Sequence, residues 1–247
     1  MYISGMSASI ALSELKAFGK KSRVGRVSDL ARFFKTAPGE YAEGDLFLGG
    51  TVPQTRSVAN SYKNLGLAEV QKLFNSPFHE ARLCAAIILN LQFKAAKSQQ
   101  DRKKIFDFYL KQVRAERINN WDIVDVSAPW MGVYLTEIED PMPLLIKFSK
   151  SKSLWQRRVS IILTFALIRA GDLEPTIIIS EALLKDKEDL IHKAVGWMLR
   201  ELGKKDVMLL RGFLKQHSHE MPRTMLRYAI ERIPEIERKK WLTQSKS

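Results

Sequence analysis

The sequence predicts an all-α protein built from helical repeats, and two features of its 247 residues lead to that prediction. Apolar residues recur at three- and four-residue spacing along most of the chain, and no segment shows the strict alternation that is typical of a half-buried strand. Four segments of similar pattern, each a polar turn followed by a basic residue and an apolar helix, recur at a period of roughly 34 to 38 residues. Helix pairs at such a period are typical of HEAT-like solenoids.

The apolar spacing places the helices in order along the chain. They are predicted over residues 8–18, 28–34, 53–64, 67–74, 79–91, 99–114, 121–127, 130–136, 143–149, 154–170, 174–184, 190–202, 207–217, 222–233 and 235–243. Residues 36–51, with four glycines, form the longest stretch without helical spacing. We predict one domain over residues 1–247, in which about residues 1–50 hold N-terminal helices and this irregular segment, and residues 51–247 hold the repeats.

The composition is that of a protein that folds around a sizeable core, since 45% of the residues are hydrophobic. The single cysteine, Cys84, lies in an apolar run and is predicted to be a small buried hydrophobe. No apolar run approaches the roughly 18 residues of a membrane span. The first residues lack the succession of basic, apolar and cleavable segments that defines a signal peptide. We therefore expect an intracellular, reducing compartment and no membrane partner.

The net charge of +13 predicts a polyanionic partner, with nucleic acid first and a membrane surface second. Aligning Arg82, Arg158, Lys193 and Arg227 gives separations of 76, 35 and 34 residues, so stacked repeats would bring the four into a stripe along one curved face. The alternative is that these residues only solvate the outer face of the repeats, as most charged helix positions do.

The most informative stretch runs from Asn119 to Pro129, because it contains Trp121 and Asp125 four residues apart. On a helix the two side chains lie on the same face, one turn apart. An indole attracts a cation and a carboxylate stabilises positive charge that forms nearby. The alternative interpretation is a core tryptophan followed by a helix-capping aspartate.

Four segments, within residues 33–49, 120–125, 155–158 and 193–229, together resemble the AlkD-type DNA alkylation repair enzymes, which are DNA glycosylases. The first is Phe33-Phe34-Lys35-Thr36, followed by Pro38-Gly39-Glu40-Tyr41 and Gly44-Asp45-Leu46-Phe47-Leu48-Gly49. The second is Asn120-Trp121-Asp122-Ile123-Val124-Asp125, and the third is Trp155-Gln156-Arg157-Arg158. The fourth is Lys193-Ala194-Val195-Gly196-Trp197-Met198-Leu199-Arg200-Glu201, with Met225-Leu226-Arg227-Tyr228-Ala229 after it.

The resemblance implies a right-handed superhelical solenoid of HEAT-like repeats with a concave face that holds duplex DNA. It implies excision of cationic alkylpurines, such as 7-methylguanine and 3-methyladenine, by hydrolysis of the N-glycosidic bond, without a metal or organic cofactor. Trp121 and Trp197 match the family's two lesion-side tryptophans, Asp125 matches its catalytic aspartate, and Arg158 matches its DNA-backbone arginine. The predicted DNA contacts are Arg158, Lys193, Arg200, Arg227 and Arg82.

The chain departs from the family pattern at two positions. Ala37 stands where glycine is frequent, and Thr51 replaces a basic residue, which puts an N-terminal DNA contact in doubt.

The sequence is therefore consistent with two functions, one enzymatic and one limited to DNA binding. The first is a monofunctional alkylpurine DNA glycosylase that acts as a monomer on duplex DNA in the cytoplasm, at the nucleoid. The second is a non-catalytic helical-repeat module that recognises duplex shape or damage. A carboxylate repels phosphate and is of little use to a pure DNA binder, so Asp125 favours the enzyme. A third reading, a protein-binding HEAT scaffold, fits the predicted fold but not the charge.

Overall fold

The computed structural model describes residues 6–244, and in that range the regular structure is entirely helical. The α-helices of the first half are α1 (Ala8–Lys20), α2 (Arg26–Phe33), α3 (Val52–Ser61), α4 (Leu67–Phe74), α5 (His79–Ala95), α6 (Gln99–Arg114) and α7 (Trp121–Met131). A 3-10 helix (Gly132–Glu137) follows, and then come α8 (Met142–Ser149), α9 (Leu154–Ala170), α10 (Glu174–Ala182), α11 (Asp189–Lys205), α12 (Val207–His217), α13 (Arg223–Ala229) and α14 (Glu235–Gln244). The predicted all-α, helical-repeat fold class is confirmed.

The chain divides into two compact units, Met1–Ser127 and Ala128–Ser247, with the boundary inside α7. In the first unit α5 packs against α3, α4 and α6, and in the second α9 packs against α8, α10 and α11. Helices α5 and α9 therefore each contact the helix before and the helix after them in sequence, and also one helix two places away, as stacked helix pairs do. The single domain predicted over the whole chain stays a prediction.

Helix α5 forms the core of the first unit. It is buried nearly all round from His79 to Asn90, and Cys84 within it has no exposed surface. Burial raises the pKa of the Cys84 thiol to about 12, so the side chain behaves as the small hydrophobe that was predicted.

The irregular segment at residues 36–51 is held against the start of α5. Leu46 forms an isolated bridge with Phe78, and the Leu46 carbonyl accepts a 2.8 Å hydrogen bond from the His79 amide. The buried carboxylate of Glu80 accepts hydrogen bonds from the amides of Leu48 and Gly49, at 2.9 and 2.8 Å. The segment has no ladder hydrogen bonds of its own, and the bridge at Leu46 together with the Glu80 carboxylate holds it in place.

Neither departure from the family pattern strains this segment. Ala37 is not among the residues with positive φ, so the methyl group costs no backbone energy there. Thr51 is the N-cap of α3: its side chain accepts from the Gln54 amide at 3.3 Å, and the Gln54 side chain accepts from the Thr51 amide at 2.8 Å. The threonine therefore starts a helix with a capping box.

The helix that carries Trp121 and Asp125 is longer than predicted. Two helices were expected on either side of Pro129, but α7 runs through the proline to Met131 and continues into the 3-10 helix. A proline removes one amide donor, here the one that would bond the carbonyl of Asp125, and a single missing bond does not end a helix whose other contacts are made.

In the second unit, glycine allows two helices to approach closely. A Cβ atom on Gly196 of α11 would lie 2.5 Å from the carbonyl oxygen of Met225 and 2.5 Å from the Cβ atom of Tyr228, both on α13. Any side chain at this position would push the helices apart.

Within residues 6–244, no helix combines the length and the apolar character that crossing a bilayer requires.

Candidate active site

The start of α7 is fixed by two polar side chains. The buried Asn120 accepts a hydrogen bond from the Trp121 amide at 2.9 Å, and Asp122 accepts one from the Ile123 amide at 2.8 Å. These bonds satisfy amides that a helix leaves without partners at its N-terminus.

Trp121 and Asp125 then follow one turn apart, and both side chains are partly exposed. Asp125 lies within the helix and not at its end, so the alternative of a capping aspartate is wrong.

The Trp121 ring belongs to an aromatic cluster. It stacks on Phe34 with ring centroids 5.5 Å apart and planes 23° from parallel, and it meets the edge of Phe33 at 6.0 Å. Phe34 is buried, whereas Phe33 is 63% exposed. The part-exposed indole and Phe33 together offer an aromatic surface that can take a planar cation.

Phe33 and Phe34 are not among the predicted site residues. The segment Phe33-Phe34-Lys35-Thr36 contributes to the resemblance, but periodicity alone cannot show that two residues some ninety positions before Trp121 contact it.

A buried ionic network lies beneath this aromatic cluster. His79 Nε2 is 2.8 Å from Asp122 Oδ2, and His79 Nδ1 is 3.5 Å from Asp45 Oδ2. The other Asp45 oxygen accepts from Arg82 Nη2 at 2.6 Å and from Asn119 Nδ2 at 3.2 Å. The network joins the irregular segment, α5 and the start of α7.

Neighbouring charges keep His79 and Asp45 ionised despite their burial. Burial by itself lowers the pKa of His79, but the charge and hydrogen bond of Asp122, with that of Asp45, raise it to about 9. Burial by itself raises the pKa of Asp45, but the His79 and Arg82 contacts outweigh it and the pKa is lowered. Two cations and two carboxylates, His79 and Arg82 with Asp45 and Asp122, are thus balanced at neutral pH.

In the second unit, Trp197 is part of a mixed aromatic and basic face of α11. Lys193, Trp197 and Arg200 are four and three residues apart and so lie on one face of the helix. The partly exposed indole donates to Glu201 Oε1 at 3.2 Å, and its ring lies 6.1 Å from that of Phe165 on α9.

Cations near Trp197 are paired with acidic side chains, of which Asp189 and Glu231 are exposed and Glu201 is largely buried. Lys193 Nζ lies 2.8 Å from the Asp189 carboxylate, and Arg200 pairs with Glu231 and lies 3.5 Å from Glu201. Arg227 of α13 is exposed. Exposed pairs contribute little to stability, so a phosphate can replace such an acid at small cost.

Two positions of the predicted basic stripe, Arg82 and Arg158, are buried, and the stripe itself stays a prediction. Arg82 is 4% exposed and bonds Asp45, Asn119 and the Ser76 carbonyl. Arg158 is also 4% exposed, and its Nη1 donates to the carbonyl of Leu190. Burial argues against a direct phosphate contact by either guanidinium.

The repeat alignment behind that stripe is displaced by one residue. Arg82, Arg157 and His192 each bond the backbone carbonyl six residues earlier, at 3.0, 3.0 and 2.6 Å. The positions equivalent to Arg82 are therefore Arg157 and His192, and not Arg158 and Lys193. Each is half of an adjacent basic pair, so residue type alone could not fix the register.

Among the residues that the structure describes, no three His, Cys, Asp or Glu side chains are grouped so that they could hold a metal ion.

Comparison with known proteins identifies the family to which a chain with these faces of α7 and α11 belongs. The family model of the DNA alkylation repair enzyme matches residues 13–233 of the chain. The chain belongs to this DNA alkylation repair enzyme family. Its role is therefore in alkylation repair, and DNA is its partner.

One solved structure supports the fold of this alkylation repair family member. A predicted DNA alkylation repair enzyme from Enterococcus faecalis superimposes with a TM-score of 0.67 at 15% identity, over 87% of this chain and 97% of the other. At that identity the likeness concerns the fold alone. No curated protein matches the chain significantly in sequence.

Proposed function

We propose that the chain is a monofunctional DNA glycosylase that hydrolyses the N-glycosidic bond of positively charged alkylated purines, such as 7-methylguanine and 3-methyladenine, in duplex DNA. The observation that carries the proposal is the face of α7, where a part-exposed indole backed by Phe33 and Phe34 lies one turn from the part-exposed carboxylate of Asp125. Membership of the alkylation repair family supports it.

Asp125 is the proposed catalytic residue. An N-alkylated purine already carries a positive charge, so cleavage of the C1′–N bond passes both electrons to a base that leaves neutral, without protonation. The positive charge then develops on the deoxyribose, where a carboxylate stabilises it. Water adds to C1′ and its proton passes to solvent, and in the proposal Asp125 orients that water.

Trp121 and Trp197 are the proposed lesion-side tryptophans. The face of an indole attracts both a cationic base and a cationic sugar, and the attraction grows where water is displaced. Trp121 has the better defined support, since Phe34 stacks on it. The assignment of Trp197 rests on the family resemblance and on its position between Lys193 and Arg200.

The proposed phosphate contacts are Lys193 and Arg227, which reach solvent, and Arg200, whose side chain is 19% exposed. Each would exchange a carboxylate or water for a phosphate and fix the register of the duplex. The reaction needs water and no metal or organic cofactor, and we propose that a monomer carries it out in the cytoplasm, at the nucleoid.

A base-release assay tests the proposal. Duplex DNA with one 7-methylguanine, and a matched duplex with one 1,N6-ethenoadenine, are incubated with the protein in excess, and free base is measured. We expect release of the cationic lesion and little of the neutral one, because the α7 face stabilises charge. Equal or greater release of the neutral base would contradict the proposal. Tight binding of damaged duplex without any release would favour the non-catalytic DNA-binding module.

A further inference from the structure

His79 lies beneath the proposed site of Trp121 and Asp125, where three parts of the first unit meet. It is the first residue of α5 and is 2% exposed. Its two nitrogens face Asp122 and Asp45, and its ring lies against Phe34 and Phe47, with centroids 4.8 Å away in both cases. One side chain therefore contacts the irregular segment, the end of α2 and the start of α7.

Two routes connect His79 to the exposed face of α7. The Asp122 carboxylate bonds the Ile123 amide with one oxygen and His79 with the other, so the imidazole fixes the carboxylate that orders the first turn. Phe34 lies between His79 and Trp121, with centroids 4.8 and 5.5 Å from the two rings. Movement of His79 would disturb both the backbone before Asp125 and the ring beneath Trp121.

We propose that His79 is a positioning residue for the reaction proposed above, whose imidazolium, shared by Asp45 and Asp122, orients Trp121 and Asp125. The inference rests on the proposed function. His79 is not a catalytic residue, because its buried ring does not reach the surface on which DNA would lie.

Charge balance explains why the protonated form is needed. The charged groups that face His79 are Asp45 from the irregular segment, Asp122 from α7 and Arg82 from α5 itself. Arg82 hydrogen-bonds Asp45 and Asn119 and not Asp122, so loss of the His79 proton removes the cation in direct contact with the Asp122 carboxylate, whose side chain is only 16% exposed. Removing the partner of a largely buried charge is costly.

The sign of the pH dependence follows from the raised pKa of His79. The stabilisation that protonated His79 supplies is fully present below its ordinary pKa of about 6.5, and it is lost as the pH rises through about 9. Order at the start of α7 should fall over the same interval.

The first test needs no DNA. The fluorescence of Trp121 is obtained as the difference between the wild type and Trp121→Phe. It is followed as the pH is raised from about 7 to about 10. We expect a transition with a midpoint near 9. It should be absent in His79→Gln and retained in the control His219→Gln, which changes an exposed histidine. A Trp121 signal that is flat in wild type would overturn the inference, even if His79→Gln failed to fold.

The second test measures the reaction. His79→Gln should slow single-turnover release of 7-methylguanine by on the order of tenfold to a hundredfold, as misplaced catalytic groups do, with DNA affinity within about twofold. Adding Asp122→Asn removes the uncompensated carboxylate and should restore part of the rate. Unchanged release by His79→Gln would overturn the inference. If wild type released no base, the proposed function would fail, while the fluorescence transition would still decide whether His79 orients Trp121.

Discussion

At the residue scale, two aspartates of α7, Asp122 and Asp125, differ in the direction of their carboxylates. Asp122 is directed toward buried His79 and the amide of Ile123, and it orders the helix start. Asp125, three residues later, is partly exposed on the face that carries Trp121. The three-residue offset turns the Asp122 carboxylate toward the network beneath the helix and leaves Asp125 on the face where we propose that it acts on the lesion.

Replacement of Asp125 by asparagine should slow catalysis strongly and leave binding intact. We expect Asp125→Asn to slow single-turnover release of 7-methylguanine by about 10²–10³, the usual cost of losing one charge-stabilising group. Duplex affinity should hold or increase, because a carboxylate that repels phosphate is removed. The matched control is Asp107→Asn, which changes an exposed carboxylate of α6. Excision by Asp125→Asn at near wild-type speed would refute the role of Asp125.

At the scale of elements, α11 presents Trp197 on a helix that is closely packed against α13. Gly196 lies directly before the tryptophan, and its missing side chain permits the contact with Met225 and Tyr228. The position of Trp197 therefore depends on a neighbouring helix as well as on its own.

Gly196→Ala should destabilise the protein by about 1–3 kcal/mol, because the added methyl group meets backbone atoms of α13 that cannot move independently. Gly212→Ala is the matched control, since Gly212 lies in α12, is exposed, and has no atom near the added Cβ. That change should stabilise the protein by about 0.5–1 kcal/mol through helix propensity. Chemical denaturation measures both, and equal effects of the two alanines would show that the close contact is unimportant.

At the scale of the whole molecule, the net charge of +13 includes both buried and solvent-exposed cations. Some, such as Arg82 and Arg158, are buried and bond other parts of the protein. Others, such as Lys193 and Arg227, reach solvent. Net charge indicates a polyanionic partner, but accessibility decides which cations can release counterions from DNA.

The salt dependence of duplex binding distinguishes the solvent-exposed cations from the buried ones. Arg227→Ala should weaken binding to any sequence and flatten the slope of log affinity against log salt by about 0.9, the effect of one lost phosphate contact. Arg158→Ala should leave the slope unchanged and instead lower thermal stability, because its guanidinium bonds the Leu190 carbonyl at the start of α11. A flatter slope for Arg158→Ala would show that the buried arginine does contact phosphate.

Most helices and the buried state of Cys84 could be predicted, because apolar spacing and helix caps are local properties of the chain. The proximity of Trp121 and Asp125 could be predicted for the same reason. The continuation of α7 through Pro129 could not, since a proline favours a helix end locally and tertiary contacts outweigh that preference.

The sequence by itself determined the all-α class, the basic character and the pairing of an indole with a carboxylate on one helix face. Tertiary structure alone decided that Phe34 stacks on Trp121, that Asp45, His79 and Asp122 share charge, and that Arg82 is buried. These contacts join residues dozens of positions apart. Helical periodicity places a residue on a face but does not specify which distant segment covers that face, and a charged side chain looks the same in sequence whether it meets water or a buried partner.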